Sequence, residues 1–233
     1  MKTRSLIPEL MDDPKLDEDR LQAALKDVTL VNRYLGGQQV TIDGIKHFTG
    51  KFPQKTYSIV DLGCGDGAML RKIADYARKM KLDFQLLGLD LNEISIALAK
   101  SKSVDYPEIE YLQKDILELN QDGFGCDVFT STLTMHHFTD VEIEAFLKQF
   151  LSISKLGVVI NDLQRSRIAY VLFKVFSTVF MKTHIARHDG LISIKRAFTK
   201  NELLTFTQKL PLESYKLKWR WAFRYLWILE KQQ

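Results

Sequence analysis

The stretch Tyr57-Ser-Ile-Val-Asp-Leu-Gly-Cys-Gly-Asp-Gly-Ala-Met-Leu70 constrains this chain more than any other. Ile59, Val60 and Leu62 form an apolar run with β-branched members, the signature of a buried strand. Gly63, Gly65 and Gly67 follow, where the chain turns tightly without Cβ atoms. Met69, Leu70, Ile73, Tyr76 and Ala77 then recur with a period of about 3.6 residues, which predicts a helix. Strand, glycine turn and helix together present unpaired backbone N–H groups to a ligand. The spacing of Gly63, Gly65 and Ala68 also fits G-x-G-x-x-G/A, a dinucleotide fingerprint. Asp61 argues against that ligand, because a carboxylate there repels a pyrophosphate.

Further strands repeat the pattern. Phe84–Asp90 is a buried run ending in an acid, and Asn92 caps the helix that carries Ile94, Ile96, Ala97 and Leu98. An acid about 20 residues past the glycine turn, at the tip of the second strand, is placed to hold a ribose diol. Ile109–Ile116 reads as a third strand ending in Asp115-Ile116. In Cys126–Thr139, Val128, Phe129 and Leu133 fit a fourth strand, with His136-His137 at its C-terminal end, where open α/β sheets bind ligands. Thr139 and Glu142 form a capping box for the next helix. Leu156–Asn161 is the fifth strand.

Asp61-x-Gly63-x-Gly65 resembles motif I of the class I S-adenosylmethionine (SAM) methyltransferases. His136-His137-Phe138 resembles the "HHF" form of motif IV in their small-molecule members. The resemblance covers about residues 57–230 and departs at Ser154-Lys-Leu-Gly157, which stands where many relatives have a Pro-Gly-Gly turn. It implies an α/β, Rossmann-like sheet of seven strands in the order 3-2-1-4-5-7-6, with helices on both faces. It implies SAM as cofactor and S-adenosylhomocysteine as product, held by Asp61, Gly63, Cys64, Gly65, Asp90, Leu91, Asp115, Ile116, Ser131 and Thr132. His137 and His184 are the candidates for a catalytic base, with His137 as a mere pocket wall the competing reading. Adjacent histidines on a loop lack the spacing and partners of a metal site, so no metal is expected.

Two regions flank this core. Residues 1–50 form an N-terminal helical cap, which the resemblance makes a lid; residues 51–233 form the main domain. Asp17 caps a helix to about Lys26, Pro14 biases Asp13 away from helix, and Ile42–Phe48 suggests a second helix. Within the main domain, residues 162–198 read as a helical insertion on the substrate side, where His136, Asp162, Phe173, Phe176 and His188 are expected. Ile168–Met181 is apolar outside one narrow polar stripe. That predicts a helix buried between core and lid, or the wall of a lipophilic pocket or a membrane contact. Residues 183–197 read as a polar insertion bearing His184 and His188. From Tyr215 to Leu229 aromatic and aliphatic residues alternate with Lys216, Lys218, Arg220 and Arg224. Period two predicts an antiparallel strand pair bent near Ala222, its aromatic row in the sheet core.

Charge is uneven. The net formal charge is +4, but residues 163–233 hold fourteen Lys/Arg against four Asp/Glu. Such a field suits an anionic membrane, a nucleic acid, an acidic substrate or only water. The two cysteines offer no disulfide framework, and the N-terminus has no apolar signal core, which points to the cytoplasm with peripheral membrane contact open. The reaction implied is transfer of a methyl group to the oxygen or carbon of a small, lipophilic phenolic, quinol-like or polyketide acceptor. RNA methylation through the basic C-terminal third is the alternative, although nucleic acid is not the expected partner. An NAD-dependent oxidoreductase and a non-catalytic SAM-binding protein are the readings from other classes.

Overall fold

The computed structural model describes residues 1, 3–13, 15–119 and 125–232, so the expectation for Pro14 lies outside the described residues. Two helices, α1 (Glu18–Tyr34) and α2 (Gly37–Lys51), come before the sheet. The glycine stretch folds as β1 (Thr56–Leu62), a turn and α3 (Ala68–Met80). Then follow β2 (Asp83–Asp90), α4 (Glu93–Lys102), β3 (Ile109–Gln113), β4 (Cys126–Thr132), α5 (Asp140–Ile153) and β5 (Ser154–Leu163). Helices α6 (Arg167–Phe180), α7 (His184–Arg196) and α8 (Lys200–Gln208) lead into the hairpin of β6 (Leu212–Arg220) and β7 (Arg224–Lys231).

The strands form one sheet in the order β3-β2-β1-β4-β5-β7-β6. Strands β1 to β5 run parallel and β7 runs antiparallel to β5 and β6. Apolar side chains cover both faces. One face packs Phe48, Ile59, Ile73, Phe84, Val128 and Ile228 beneath α2, α3 and α4. The other packs Phe129, Phe146, Phe150, Val158, Phe198 and Trp227 beneath α5 and α8. Each such fully buried side chain contributes roughly 1.5–3 kcal/mol, so the sheet is fixed from both sides and its C-terminal edge is a firm base for a site.

Caps appear where the sequence places them. Asp17 accepts from Arg20 N, Asn92 from Ile94 N and Ser95 N, and Thr139 and Thr199 close boxes with Glu142 and Glu202. Several expectations change. Helix α1 runs two turns beyond Lys26, because packing of Val31 against α7 outweighs weak local propensity. β4 stops at Thr132, and Leu133 takes a left-handed φ of 58°, turning the chain into the His136-His137 loop. The polar insertion 183–197 is a helix, capped by Thr183, with Ile185, Ala186, Ile192 and Ile194 buried.

The aromatic row does lie on one sheet face, since Tyr215, Leu217 and Trp219 pair with Leu229, Trp227 and Tyr225. It is core only in β7. Strand β6 is an edge, which leaves Tyr215 and Trp219 about half exposed. Arg224, expected on the solvent face, is buried. Helix α6 is not sandwiched between core and lid. Only Ala169 and Ser177 are buried, while Ile168, Val171, Leu172, Val175 and Val179 are 51–71% exposed. Among the described residues no helix is long and apolar enough to cross a membrane.

Candidate active site

A cavity of about 980 Å³ opens along the C-terminal edge of β1, β2 and β4, roofed by residues of α1, α6 and α7. At one end the glycine turn supplies its floor. Gly63 N and Cys64 N both donate to Leu89 O, and Gly65 N donates to Asp90 Oδ2 at 2.8 Å. Gly65 has a φ of 53°, and a Cβ there would meet nothing closer than Leu25 at 4.0 Å. Bare backbone therefore faces open space, the cradle that a ligand approaching a glycine loop needs.

The acids at this end differ in their state. Asp61 is 2% exposed and accepts one hydrogen bond, from Thr130 Oγ1 at 2.7 Å. Burial, with the nearby Asp90 charge adding to it, pushes its carboxyl up to about 7. The charge that acts on this buried carboxylate is a second acid, so the site suits a ligand ammonium. Burial also raises Asp90, although its two oxygens accept from Gly65 N and Asn92 N. Leu91 N is a third backbone donor to it, which leaves acceptor capacity for a ribose hydroxyl. Asp115 accepts from Leu117 N as the cap of a short turn, and Ile116 beside it is buried. Gly63, Cys64, Leu91 and Thr132 line the same space. Ser131 is not among the lining residues; it is fully buried and its Oγ has no hydrogen-bond partner. The donor set thus fits a molecule with an ammonium, a ribose and a ring, as SAM has.

Beyond β4 the floor becomes a cluster of charges. His136 is 2% exposed, with Nδ1 2.7 Å from Asp162 Oδ1 and Nε2 3.4 Å from Glu9 Oε1. Burial disfavours its charged form, but Asp162 and Glu9 outweigh that and raise it to about 9. Asp162 is spent on this pairing and does not line the cavity. His137 does line it, with Nδ1 3.2 Å from Asp12 Oδ1 and Nε2 3.7 Å from Glu9 Oε2. Glu9 thus gives the adjacent histidines the partner that their spacing lacks; one ligand atom from each of the three lies within 4.8 Å of the others. A protonated His136 offsets one of the two carboxylates that flank it, and the Arg196 charge acts on Asp12.

The loop is held from the N-terminus. Arg4 donates to His136 O and Phe138 O, and Arg196 donates to His136 O, His137 O and Ile7 O. Ser193 Oγ donates to Glu9 Oε1 at 2.7 Å. Arg4, Glu9, Asp12 and Arg196 had no signal in the sequence, where residues 1–50 read only as a helical cap and Arg196 as part of a polar insertion. His184 and His188 are not brought here. His184 is exposed at the start of α7, stacked 6.2 Å from His188, whose Nδ1 turns to Asp189. The far wall is apolar: Leu172, Phe173 and Phe176 of α6, then Met181 and Ala186, with Trp221 and Phe223 from the hairpin turn.

Comparison with known proteins adds to this geometry. A family model described as a methyltransferase domain matches residues 59–157. The carboxy-S-adenosyl-L-methionine synthase of Campylobacter jejuni serotype O:2 is 23% identical over 186 residues, 77% of this chain and 76% of that protein. Among solved structures, the plantazolicin methyltransferase BpumL with SAH superposes with a TM-score of 0.67 at 16% identity, covering 92% of this chain and 96% of its own. Magnesium protoporphyrin IX methyltransferase from Synechocystis, also with SAH, gives 0.59 at 14% identity and 84% of each chain.

Proposed function

The chain belongs to the class I S-adenosylmethionine-dependent methyltransferase superfamily, and from that premise we propose that it methylates an apolar small molecule at an ionisable hydroxyl. SAM supplies an electrophilic methyl group and leaves as S-adenosylhomocysteine. The observation that carries the acceptor class is the continuity of one cavity, from Asp61, Gly65 and Asp90 to Phe173, Phe176 and Met181, with His137 between them. In this reading residues 1–50 act as the lid and 162–198 as the acceptor side.

His137 takes the hydroxyl proton as the oxygen attacks. Asp12 beside Nδ1 fixes the proton there, which leaves Nε2 as the basic nitrogen. A phenol with a pKa near the usual value of about 10 gains from such a base. Alignment of oxygen and methyl carbon by the cavity walls supplies much of the rest. The test is turnover of labelled SAM with a panel of alkylphenols, quinols and polyketide-like enols. Transfer to RNA but to none of these would sink the proposal.

The exposed face of α6 belongs to the same reading. Val171, Val175, Ile168, Val179 and Leu172 share an arc of roughly 100°, and Leu172 also lines the cavity. From 163 to 188 the chain has five Lys/Arg and no acid. We place this face on an anionic membrane, from which a lipophilic acceptor enters. Flotation with vesicles containing phosphatidylglycerol checks it: Val175→Glu with Val179→Glu should abolish binding. A wild-type chain that is dimeric and stays unbound would assign the face to a second copy instead.

The name borne by the curated relatives prompts a second reading, in which the product is carboxy-S-adenosyl-L-methionine. A buried arginine lining the cavity, Arg224, is the observation in its favour. Mass spectrometry of the nucleoside pool after turnover separates the two.

A further inference from the structure

The mechanism above leaves Arg224 without a task. This residue opens β7, opposite Leu163 of β5, on the acceptor side of β4. It is 3% exposed, yet its Nε and Nη1 have no hydrogen-bond partner. The guanidinium lies against α2: a Cβ on Gly37 would sit 2.6 Å from Arg224 Cζ and 1.9 Å from Asn32 Oδ1. Asn32 Oδ1 is itself buried and unpartnered, and it lines the cavity beside Arg224. The nearest acid by charge, Asp162, gives its oxygens to His136 and Leu163 N. It screens the arginine without bonding to it. Burial in this setting pulls Arg224 down to about 10, so the group remains a cation at neutral pH.

A buried guanidinium with idle donors at a cavity wall is costly for a folded chain unless an anion completes it. Its planar fork matches a carboxylate best. We propose that Arg224 is the anchor for a carboxylate of the bound ligand, so that the acceptor is an apolar hydroxy acid rather than a neutral phenol. Trp221 and Phe223, from the same turn, flank the anchor with rings, and the apolar wall of α6 takes the rest of the molecule. The proposal rests on the acceptor reading above, but a carboxylate on the cofactor, at its methionine end or on a carboxylated derivative, would offer the same chemistry.

The test uses the full chain and two probes, an alkylated salicylate and the alkylphenol left when its carboxylate is removed, with binding followed by calorimetry in the absence of SAM. The wild type should bind the salicylate at least about tenfold tighter. Arg224→Met should erase that preference, leave SAM affinity unchanged and raise the melting temperature of the ligand-free protein, because an unpaired buried charge has been replaced by an apolar chain. Arg224→Lys should keep part of the preference. SAM titration of the wild type is a separate arm, so loss of the methyltransferase reading is not confused with loss of this one. A lower melting temperature with the salicylate preference intact would make Arg224 structural. Weakened SAM binding with no preference between the probes would give the carboxylate to the cofactor. Either result overturns the assignment.

Discussion

The two ends of the cavity are built in opposite ways. At the glycine-turn end the contacts to the strand-end acids are short in sequence or cross one strand pair: Gly65 N to Asp90, Asn92 N to Asp90, Thr130 to Asp61. At the acceptor end the contacts join the first residues to the last third: Arg4 to Arg196, Glu9 to Ser193, Leu10 and Met11 to Asp189. The first end leaves backbone and acids open toward the space between them. The second is packed with ion pairs, which hold the His136-His137 loop in place, with His137 the more exposed of the two histidines at the cavity. In the proposed reading, cofactor chemistry is thus set by sheet topology, and acceptor chemistry by how distant segments meet.

Changes at the two ends should separate cleanly. The largest effect expected is on turnover: His137→Ala should lower kcat by roughly 100-fold or more, with SAM affinity unchanged. An unaltered kcat would leave His137 as wall. At the other end, Asp90→Ala should weaken SAM binding by about 1.5–3 kcal/mol, read by calorimetry, and leave acceptor binding alone. Equal loss of both ligands would mean that the ends are coupled through the sheet. Phe176→Ala should raise KM about tenfold for long-chain acceptors and little for truncated ones, since the lost burial is at most about 1.5–3 kcal/mol. Uniform losses with a lower melting temperature would make Phe176 packing only.

Protonation offers a smaller and graded comparison. Asp61 must be ionised to meet an ammonium, so SAM affinity should rise between pH 6 and 8 as the group passes through about 7. For stability the sign is the reverse. The folded chain holds the Asp61 proton where the unfolded chain has lost it, so ligand-free stability falls as pH climbs from about 4 to 7. His136, raised to about 9, contributes fully below about 6.5 and loses its contribution as pH rises through 9. Melting curves of the ligand-free protein should therefore drop from pH 7 to 9, and a flat line would contradict the His136–Asp162 pair. The smallest effect concerns metals: prior chelation should change turnover less than about twofold, because His136 and Ser193 already engage Glu9 and His136 engages both oxygens of Asp162.

The same contrast explains what could be read from the chain. Strand runs, glycine turn, capping boxes and strand-end acids are local patterns, and the sheet order came with the family resemblance that they carry. Asp61, Asp90 and Asp115 could be placed because each ends or follows a strand of one parallel sheet. Glu9, Asp12 and Arg196 could not, because nothing within several residues of them marks a partner more than a hundred residues away. Alternation misled at Arg224. Period two fixed its face correctly, yet that face is covered in β7 by α2 and open only at the β6 edge. Helix α6 misled in the same manner, since an apolar helix reads alike whether protein or another phase covers it.

The strap formed by residues 4–12 also bears on how the chain comes into being. Glu9 and Asp27 are made early, but the groups that bond to them, Ser193 and Thr183, stand 184 and 156 positions later. At synthesis rates of about 5–20 residues per second, those acids stay hydrated for on the order of 10–40 s while β1 to β5 assemble. A nascent chain that has just completed α5 already owns the glycine turn, Asp61, Asp90 and the two adjacent histidines. It does not yet own the α7 residues that draw the strap across them. The nucleoside end can be shaped on the ribosome, whereas the acceptor end comes into existence only when the chain's first dozen residues are reclaimed by its last third.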